Sequence, residues 1–337
     1  MVVSRFKKAL VAVGGAALLT ASALPAVAQD EGPLLYVINK SADQQYFIDL
    51  QNSFEAKAAE LGATSLKADA KLDPSLGVNL VNDAISAGAA GIAITVPDQT
   101  IGPAISDAAA AAGVALVATD DSIVDSAGNP VPFVGFSGPD MGAKVGAEAA
   151  RLLTEGGWLE DEAITVGVLS TEVPTLSVCE DRTNASKQAM LDVGVPAESI
   201  YQVQYTGESP DAQDKAGPVI TAHPDVTHWV VFACNDEGVL AVLNALATQG
   251  VSPDNILGVG LGAYEACKFW AADQPSGFKA ALYISGLDVG ASAAEVLYDN
   301  VVNGVDLPEF TIAPTSIVDP TTYTDIFTPE SLANCSQ

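Results

Sequence analysis

The chain has 337 residues, of which 49% are hydrophobic, and its 42 acidic and 14 basic side chains give a formal net charge of −28. This length fits one large or two ordinary domains, and the apolar content excludes a wholly disordered chain. The charge argues against nucleic acid or an anionic membrane as a partner, because Lys and Arg patches bind both of these polyanions.

The first 28 residues are typical of a secretory signal and predict an exported protein, periplasmic or secreted. Arg5, Lys7 and Lys8 give a positive start, an apolar run follows over 9–23, and small residues fill the cleavage positions at 26–28. The apolar run is shorter than the ~20 residues that span a bilayer. Cleavage there would remove three cations and deepen the net charge to −31.

The rest of the chain alternates short apolar runs with amphipathic segments of helical length. The runs predict strands over 34–38, 91–96, 114–118, 164–169, 201–204, 229–233, 256–261 and 280–284. The amphipathic segments predict helices over 45–61, 75–87, 101–112, 142–154, 183–193, 237–249 and 289–303. This alternation is typical of an α/β fold with doubly wound parallel sheets. Two sheets suit the length better than one, with a boundary where Gly and Pro cluster at 135–139.

Polar and aromatic residues follow several of the predicted strands. In α/β domains a ligand binds outside the carboxyl ends of the strands, so these residues are candidates for a site. The candidates in chain order are Lys40, Gln44, Tyr46, Phe47, Asp120, Asp121, Arg182, Asn235 and Glu265. The set combines charged and amide groups with aromatic faces and lacks a nucleophile paired with a base.

A sugar is the ligand class that suits this set. Each sugar hydroxyl both donates and accepts, so Asp, Asn, Arg and Lys side chains can hold it. The apolar C–H faces of the ring pack on aromatic side chains. Each residue also has a purely structural interpretation: Asp120 and Asp121 could form a turn or a helix cap, and Asn235 could cap the helix that follows it. Only their shared location at strand ends favours a site.

Other chemistry has weaker support in the sequence. The glycines at 258–262 do not form a dinucleotide-binding motif and indicate close strand packing, so no cofactor is expected. The only two histidines, His223 and His228, make a zinc site improbable. In an oxidising compartment the four cysteines suggest two disulfides, for which three pairings are possible.

At these residues the chain resembles the bacterial L-arabinose-binding proteins, soluble receptors of sugar ABC transporters with the type I periplasmic binding-protein fold. The similarity runs over nearly the whole chain after the signal. The segments that carry it best are Lys40 with 46–47, 119–121, 199–203, 223–229, 235–236 and 256–260. The resemblance implies a monosaccharide ligand, a membrane permease as partner, a monomer, and no enzymatic activity.

The resemblance also assigns roles to individual residues. Lys40 would bond sugar hydroxyls, and Tyr46 and Phe47, which match a Trp-Phe pair, would cover the sugar face. The first residue of the Asp120-Asp121 pair would hold the anomeric end, and Arg182 and Asn235 match a binding arginine and asparagine.

The chain departs from the family pattern at several of these positions. Gln44 stands where the family has a glutamate, and Gly262 where it has a second binding asparagine. Phe136 and Cys234 replace methionines beside the sugar. Another pentose or hexose, such as galactose, fucose or xylose, is therefore an alternative to L-arabinose, and Glu265 is a candidate for a compensating contact.

Two further expectations accompany the resemblance. Cys179 and Cys234 lie just past strands of the second domain beside Arg182 and Asn235, so we expect a Cys179–Cys234 disulfide and a second one, Cys267–Cys335, in the C-terminal tail. The first lobe would comprise residues 29–137 and 286–314, and the second 138–285 and 315–337. Three hinge segments near 135–139, 285–288 and 313–318 would join them.

The alternative functions are a receptor for chemotaxis or a sensor kinase, and a secreted glycosidase or sugar isomerase using Asp120 or Asp121.

Overall fold

The computed structural model describes residues 1–3 and 32–336, and from Gly32 onward the chain forms one compact unit. The predicted signal sequence therefore lies outside the described residues, apart from its first three. Within the described ranges, no helix has both the length and the apolar character needed to cross a membrane.

Twelve strands of the described residues form two six-stranded sheets. The strands are β1 Leu34–Asn39, β2 Thr64–Asp69, β3 Gly91–Ile94, β4 Ala115–Thr119, β5 Phe133–Gly135, β6 Val166–Glu172, β7 Ile200–Gln204, β8 His228–Ala233, β9 Ile256–Gly262, β10 Phe278–Tyr283, β11 Phe310–Ile312 and β12 Ser316–Val318. The first sheet has the order β11-β5-β4-β3-β1-β2 and the second the order β12-β10-β9-β8-β6-β7. All pairings are parallel except β10 with β12, which is antiparallel. The predicted fold of two parallel-sheet lobes is confirmed.

Helices pack on these sheets and connect the parallel strands. They are α1 Gln45–Leu61, α2 Pro74–Ser86, α3 Gly102–Ala112, α4 Gly138–Glu155, α5 Ser177–Asp192, α6 Ser209–Ala222, α7 Asp236–Thr248, α8 Ala266–Ala271, α9 Gly286–Asn303, α10 Tyr323–Ile326 and α11 Pro329–Asn334. Three short 3₁₀ turns cover Gln99–Ile101, Ala197–Ser199 and Pro253–Asn255. Glycine residues with positive φ follow α1 and α3, where a left-handed residue lets the chain leave the helix and start the next strand.

Within residues 32–336 the chain passes between the two sheets three times: between β5 and α4, between β10 and α9, and between β11 and β12. The two helices that follow crossovers, α4 and α9, each begin at a serine N-cap. Ser137 accepts from the Asp140 backbone N–H at 3.3 Å, and Ser285 accepts from that of Asp288 at 3.1 Å. Such caps satisfy backbone donors that a helix start leaves free. The crossovers therefore have defined geometry at the points where the two lobes meet.

Close packing also holds the start of α9 against α1. A Cβ on Gly286 would lie 2.2 Å from the carbonyl oxygen of Tyr46, and one on Gly290 would lie 2.0 Å from that of Leu50. Only glycine allows backbones to approach this closely. The start of α1, which carries Tyr46 and Phe47, is thereby fixed next to a crossover.

Candidate binding site

A cavity lies between the carboxyl ends of the strands of the two sheets. Seven of the candidate residues line it: Lys40, Gln44, Tyr46, Phe47, Asp120, Arg182 and Asn235. They come from both lobes, because the segments after β1 and β4 meet those after β6 and β8 across the cavity. Most of the residues selected from the sequence because they follow strands therefore lie together in the fold.

Lys40 and the two aspartates after β4 form a buried charged group in the first lobe. Lys40 Nζ lies 2.5 Å from Asp121 Oδ2 and 3.7 Å from Asp120 Oδ2. Asp120 has a left-handed backbone with φ of 58°, which aspartate tolerates better than most residues. The Asp121 N–H donates to the Thr119 carbonyl at 2.6 Å, so Asp120 is the centre of a tight turn. The turn separates the two carboxylates: Asp120 lines the cavity and Asp121 does not.

Asp121 supports the site from behind. Its side chain is fully buried and holds the Lys40 ammonium. Burial raises the pKa of Asp121 to about 6, while the Lys40 charge acts in the opposite direction. Asp121 does not line the cavity itself, and its predicted contact with a ligand stays a prediction. The physical reason for its position is the turn at Asp120, which directs the second carboxylate under Lys40.

Arg182 connects the two lobes across the cavity. It lies on α5 in the second lobe, and its Nη2 approaches Asp120 Oδ1 of the first lobe at 3.3 Å. Its Nη1 donates to the Cys234 carbonyl at 3.0 Å, and its Nε has no hydrogen-bond partner among the described residues. Arg182 is 4% exposed and Asp120 is 4% exposed, so the pair is shielded from water. A buried cation with a free donor is suited to a polar ligand.

Aromatic rings form one wall of the cavity. Tyr46 and Phe47 stand edge to face with ring centroids 5.0 Å apart, and Lys40 Nζ lies 5.4 Å from the centre of the Phe47 ring. Tyr264 of the second lobe also lines the cavity, with its ring 6.2 Å from that of Tyr46. These rings offer an apolar surface beside the charged groups, as the face of a sugar requires.

Asn235 is the N-cap of α7, as its structural interpretation predicted, and it also lines the cavity. Its Oδ1 accepts from the Gly238 N–H at 3.0 Å and from the Tyr205 hydroxyl, and its Nδ2 donates to the Gly207 carbonyl at 3.0 Å. These bonds use most of the capacity of the amide.

Two further candidates, Phe136 and Glu265, lie outside the cavity lining, and their predicted contacts with a ligand stay predictions. Phe136 is buried behind Tyr46, with ring centroids 6.3 Å apart, and lines a neighbouring cavity instead. Glu265 precedes α8, and its carboxylate turns along that helix to Lys268 at 2.9 Å. Glu265 is absent from the cavity lining.

The two predicted disulfide pairs are both present. Cys179 and Cys234 have Cα atoms 4.9 Å apart, and those of Cys267 and Cys335 are 5.2 Å apart. The first disulfide lines the cavity beside Arg182, whereas the second ties α8 to the end of α11.

Several lining residues were not among the candidates from the sequence, and two of them are acidic. Asp236 and Glu237 begin α7 directly after Asn235, so the strand-end rule could have found them. Burial raises the pKa of Glu237 to about 8, and the charge of Asp236 adds to this. Burial also raises the pKa of Asp236 to about 6, although the Glu265 N–H donates to it at 2.9 Å. The other missed residues are apolar, and a search for polar and aromatic side chains at strand ends does not select them. They are Leu72, Pro97, Val173, Leu176, Leu261 and Ile284.

These raised pKa values predict a protein that loses stability as the pH rises. Such a carboxyl group stabilises the fold below its unfolded pKa of ~4.3, and that stabilisation is lost as the pH rises through the folded pKa. We expect Glu237→Gln to raise the free energy of unfolding by about 1–3 kcal/mol near pH 8.5 and by much less near pH 5.5. Urea denaturation at the two pH values measures this difference.

The exposed Glu295 offers a matched control for that experiment. Glu295→Gln removes the same charge from α9 without altering a buried group. An equal gain from both substitutions at high pH would assign the effect to the overall negative charge and contradict a special role for Glu237.

Metal ligation finds no support in the described ranges, where no group of three or more His, Cys, Asp or Glu residues could hold an ion. Paired cations and carboxylates beside aromatic rings are instead suited to a neutral ligand with several hydroxyls.

Comparisons with known proteins agree with the fold. A sequence model described as "Periplasmic binding protein domain" matches residues 35–304. The L-arabinose-binding periplasmic protein of Escherichia coli K12 is 29% identical over 311 residues, covering 91% of this chain and 92% of that protein. An ABC transporter L-arabinose-binding periplasmic protein of Azospirillum brasilense is 30% identical over 274 residues, covering 80% of this chain and 81% of that protein. Among solved structures, a Caulobacter myo-inositol binding protein superimposes with a TM-score of 0.73 at 20% identity, covering 87% of this chain and 95% of that one.

Proposed function

The chain belongs to the periplasmic binding-protein family, and on that premise we propose that it captures a monosaccharide between its two lobes and delivers it to the permease of an ABC transporter. The observation that carries the proposal is the buried contact between Asp120 of the first lobe and Arg182 of the second at 3.3 Å, inside a cavity with an aromatic wall. A ligand that bonds both groups joins the lobes.

The chemistry of the lining favours a sugar over other small ligands. Lys40 and Arg182 can donate to sugar oxygens, and Asp120 can accept from sugar hydroxyls. Charge-assisted bonds of this kind are stronger than those between neutral groups. Tyr46 and Phe47 offer the apolar surface on which the C–H face of a sugar ring can pack. An acidic ligand is less suitable, because Asp120 and Asp236 also line the cavity.

L-arabinose is the first candidate ligand, since it appears in the names of both curated relatives. The replacements at Gln44 and Gly262 keep galactose, fucose and xylose as candidates. Gln44 lines the cavity, while Gly262 offers no side chain for a hydroxyl. We propose a pentose or hexose, with Lys40, Asp120 and Arg182 as its main polar contacts.

Closure of the two lobes would trap the sugar, as is usual for binding proteins with a hinge. In this proposal the first lobe comprises 29–137 and 286–314 and the second 138–285 and 315–337, with the three crossovers as the hinge. Contacts between lobes beside the cavity support it: Gln44 Nε2 donates to the Gly207 carbonyl at 3.3 Å, and Gln99 Oε1 accepts from the Ser177 N–H at 2.6 Å. Both contacts would break when the lobes open.

We further propose that the protein acts outside the cytoplasmic membrane, as a monomer, and leaves the sugar chemically unchanged. The names of the relatives place them in the periplasm, and the signal-like residues 1–28 agree with export. A receptor for chemotaxis or a sensor kinase would need the same binding site. Loss of sugar uptake in a deletion strain would support transport, whereas loss of a transcriptional or chemotactic response alone would support sensing.

Isothermal titration against a panel of sugars tests the proposal. The panel comprises L-arabinose, D-galactose, D-fucose, D-xylose, D-allose and myo-inositol. We expect saturable binding of at least one pentose or hexose, and a matching rise in melting temperature because a ligand that binds only the folded state stabilises it. NMR of the recovered sugar would reveal turnover and thereby favour an enzyme. No heat and no thermal shift with any sugar would refute the assignment.

A further inference from the structure

The hydroxyl of Tyr46 is a buried polar group without a hydrogen bond. Tyr46 is 8% exposed, and its Oη has no hydrogen-bond partner among the described residues. Buried tyrosine hydroxyls usually have a partner, because an unpaired one loses its bond to water on folding. The Tyr46 hydroxyl therefore requires an explanation that its packing does not give.

The position of the hydroxyl is fixed by its surroundings. The rings of Phe47, Phe136 and Tyr264 surround that of Tyr46, with centroids 5.0, 6.3 and 6.2 Å away. The backbone of Tyr46 is held by its close approach to Gly286 at the start of α9. A ring confined in this way cannot swing its hydroxyl to solvent without moving its neighbours.

The hydroxyl belongs to the same polar region as the cross-lobe pair. Tyr46, Asp120 and Arg182 all line the cavity, and the charges of Asp120 and Arg182 act on the phenol group. Burial raises the pKa of Tyr46 well above its ordinary value, so the group keeps its proton and can donate. A ligand oxygen held near Asp120 and Arg182 would provide the missing partner.

We propose that the Tyr46 hydroxyl donates a hydrogen bond to one oxygen of the bound sugar, so that Tyr46 selects for that oxygen as well as covering the sugar face. The inference rests on the proposed function, because it assumes a sugar in this cavity. The resemblance assigns this position only an aromatic face, so the polar contact is particular to the tyrosine of this chain. A site that bonds a specific hydroxyl rejects analogues that lack it, since its own polar group is then left unpaired.

Tyr46→Phe tests the proposal, because it removes only the hydroxyl. We expect the affinity for the best sugar of the panel to fall by about 10-fold. The melting temperature of the ligand-free protein should stay the same or rise, since no hydrogen bond among the described residues is lost. Monodeoxy analogues of the sugar identify the oxygen: for one of them the wild type and Tyr46→Phe should bind equally well.

Tyr283→Phe is the matched control. Tyr283 is also 8% exposed, but its hydroxyl bonds that of Ser331 at 2.9 Å, and it lies outside the cavity lining. Loss of the Tyr283 hydroxyl should lower the melting temperature and leave the affinity for the sugar within about twofold of the wild-type value. This is the opposite of the pattern expected at Tyr46.

The possible results separate this inference from the proposed function. If the wild type binds a sugar and Tyr46→Phe binds it equally well, the hydroxyl has no role and the inference is overturned while the proposed function stands. If Tyr46→Phe lowers the affinity for every deoxy analogue by the same factor, the inference is also overturned, because the effect would then come from altered packing. If the wild type binds no sugar, both fail.

Discussion

Replacing Asp120 by asparagine is expected to weaken sugar binding by about 100-fold. Asp120 contacts Arg182 at 3.3 Å and lies 3.7 Å from Lys40 Nζ, so its charge balances cations from both lobes. Asparagine has nearly the same shape and tolerates the positive φ of 58° at this position, so the turn should persist. The loss of affinity would therefore measure the contribution of the Asp120 charge, which accepts from sugar hydroxyls and links the two lobes.

Isothermal titration with the best sugar of the panel measures this loss, and an ion pair elsewhere supplies the control. Glu172 and Lys187 of the second lobe are 2.7 Å apart, partly buried, and absent from the cavity lining. Glu172→Gln should change the affinity by less than about threefold, because it breaks a comparable pair without touching the site. Similar losses for both variants would mean that binding responds to any lost ion pair, and Asp120 would then have no special role.

Most of the strands that the sequence predicted share a feature that the missed edge strand β2 lacks, the exception being the half-exposed β7. Buried strands such as β3 and β9 are continuous apolar runs because both faces of a parallel sheet are covered. The edge strand β2 has no buried residue, and three of its six residues, Leu66 among them, are exposed, so its sequence shows no such run. Its place is set by the parallel register with β1, a long-range pairing that no local pattern reveals.

The short elements near the crossovers escaped prediction for a related reason. Each of β5, β11 and β12 has three residues, too few for a periodic pattern. They exist because the chain returns to a sheet edge, as when β11 pairs with β5. The missed helix α6 contains Pro218, which a local rule interprets as a helix breaker.

The site was predictable in location but not in the direction of each side chain. The rule that ligands bind at strand ends singled out the segments after β1, β4, β6 and β8, and residues of all four segments line the cavity. Direction depends on details such as the turn at Asp120, which separates it from Asp121, and the start of α8, which turns Glu265 away. Such details arise from single φ angles and helix boundaries, the least predictable features of a sequence.

Removal of the Cys179–Cys234 disulfide is expected to weaken sugar binding by about 10–100-fold and to lower the free energy of unfolding by roughly 2–4 kcal/mol. Cys179 is one helical turn before Arg182 on α5, so both project from the same face. Cys234 follows β8, precedes Asn235, and its carbonyl accepts from Arg182 at 3.0 Å. The disulfide thus joins the two segments that present Arg182 and Asn235 to the cavity.

The second disulfide provides a control of nearly equal size for this prediction. The paired cysteines are 55 residues apart in the first disulfide and 68 in the second, so the chain-entropy cost of losing either is almost the same. Cys267→Ser with Cys335→Ser should lower stability to a similar degree and change the affinity by less than about threefold, because that disulfide lies away from the cavity lining. Urea denaturation and titration of both double variants, below their melting temperatures, separate the two effects. If both variants lose affinity equally, binding depends on general stability; if only Cys179→Ser with Cys234→Ser loses it, the first disulfide positions Arg182 for the ligand.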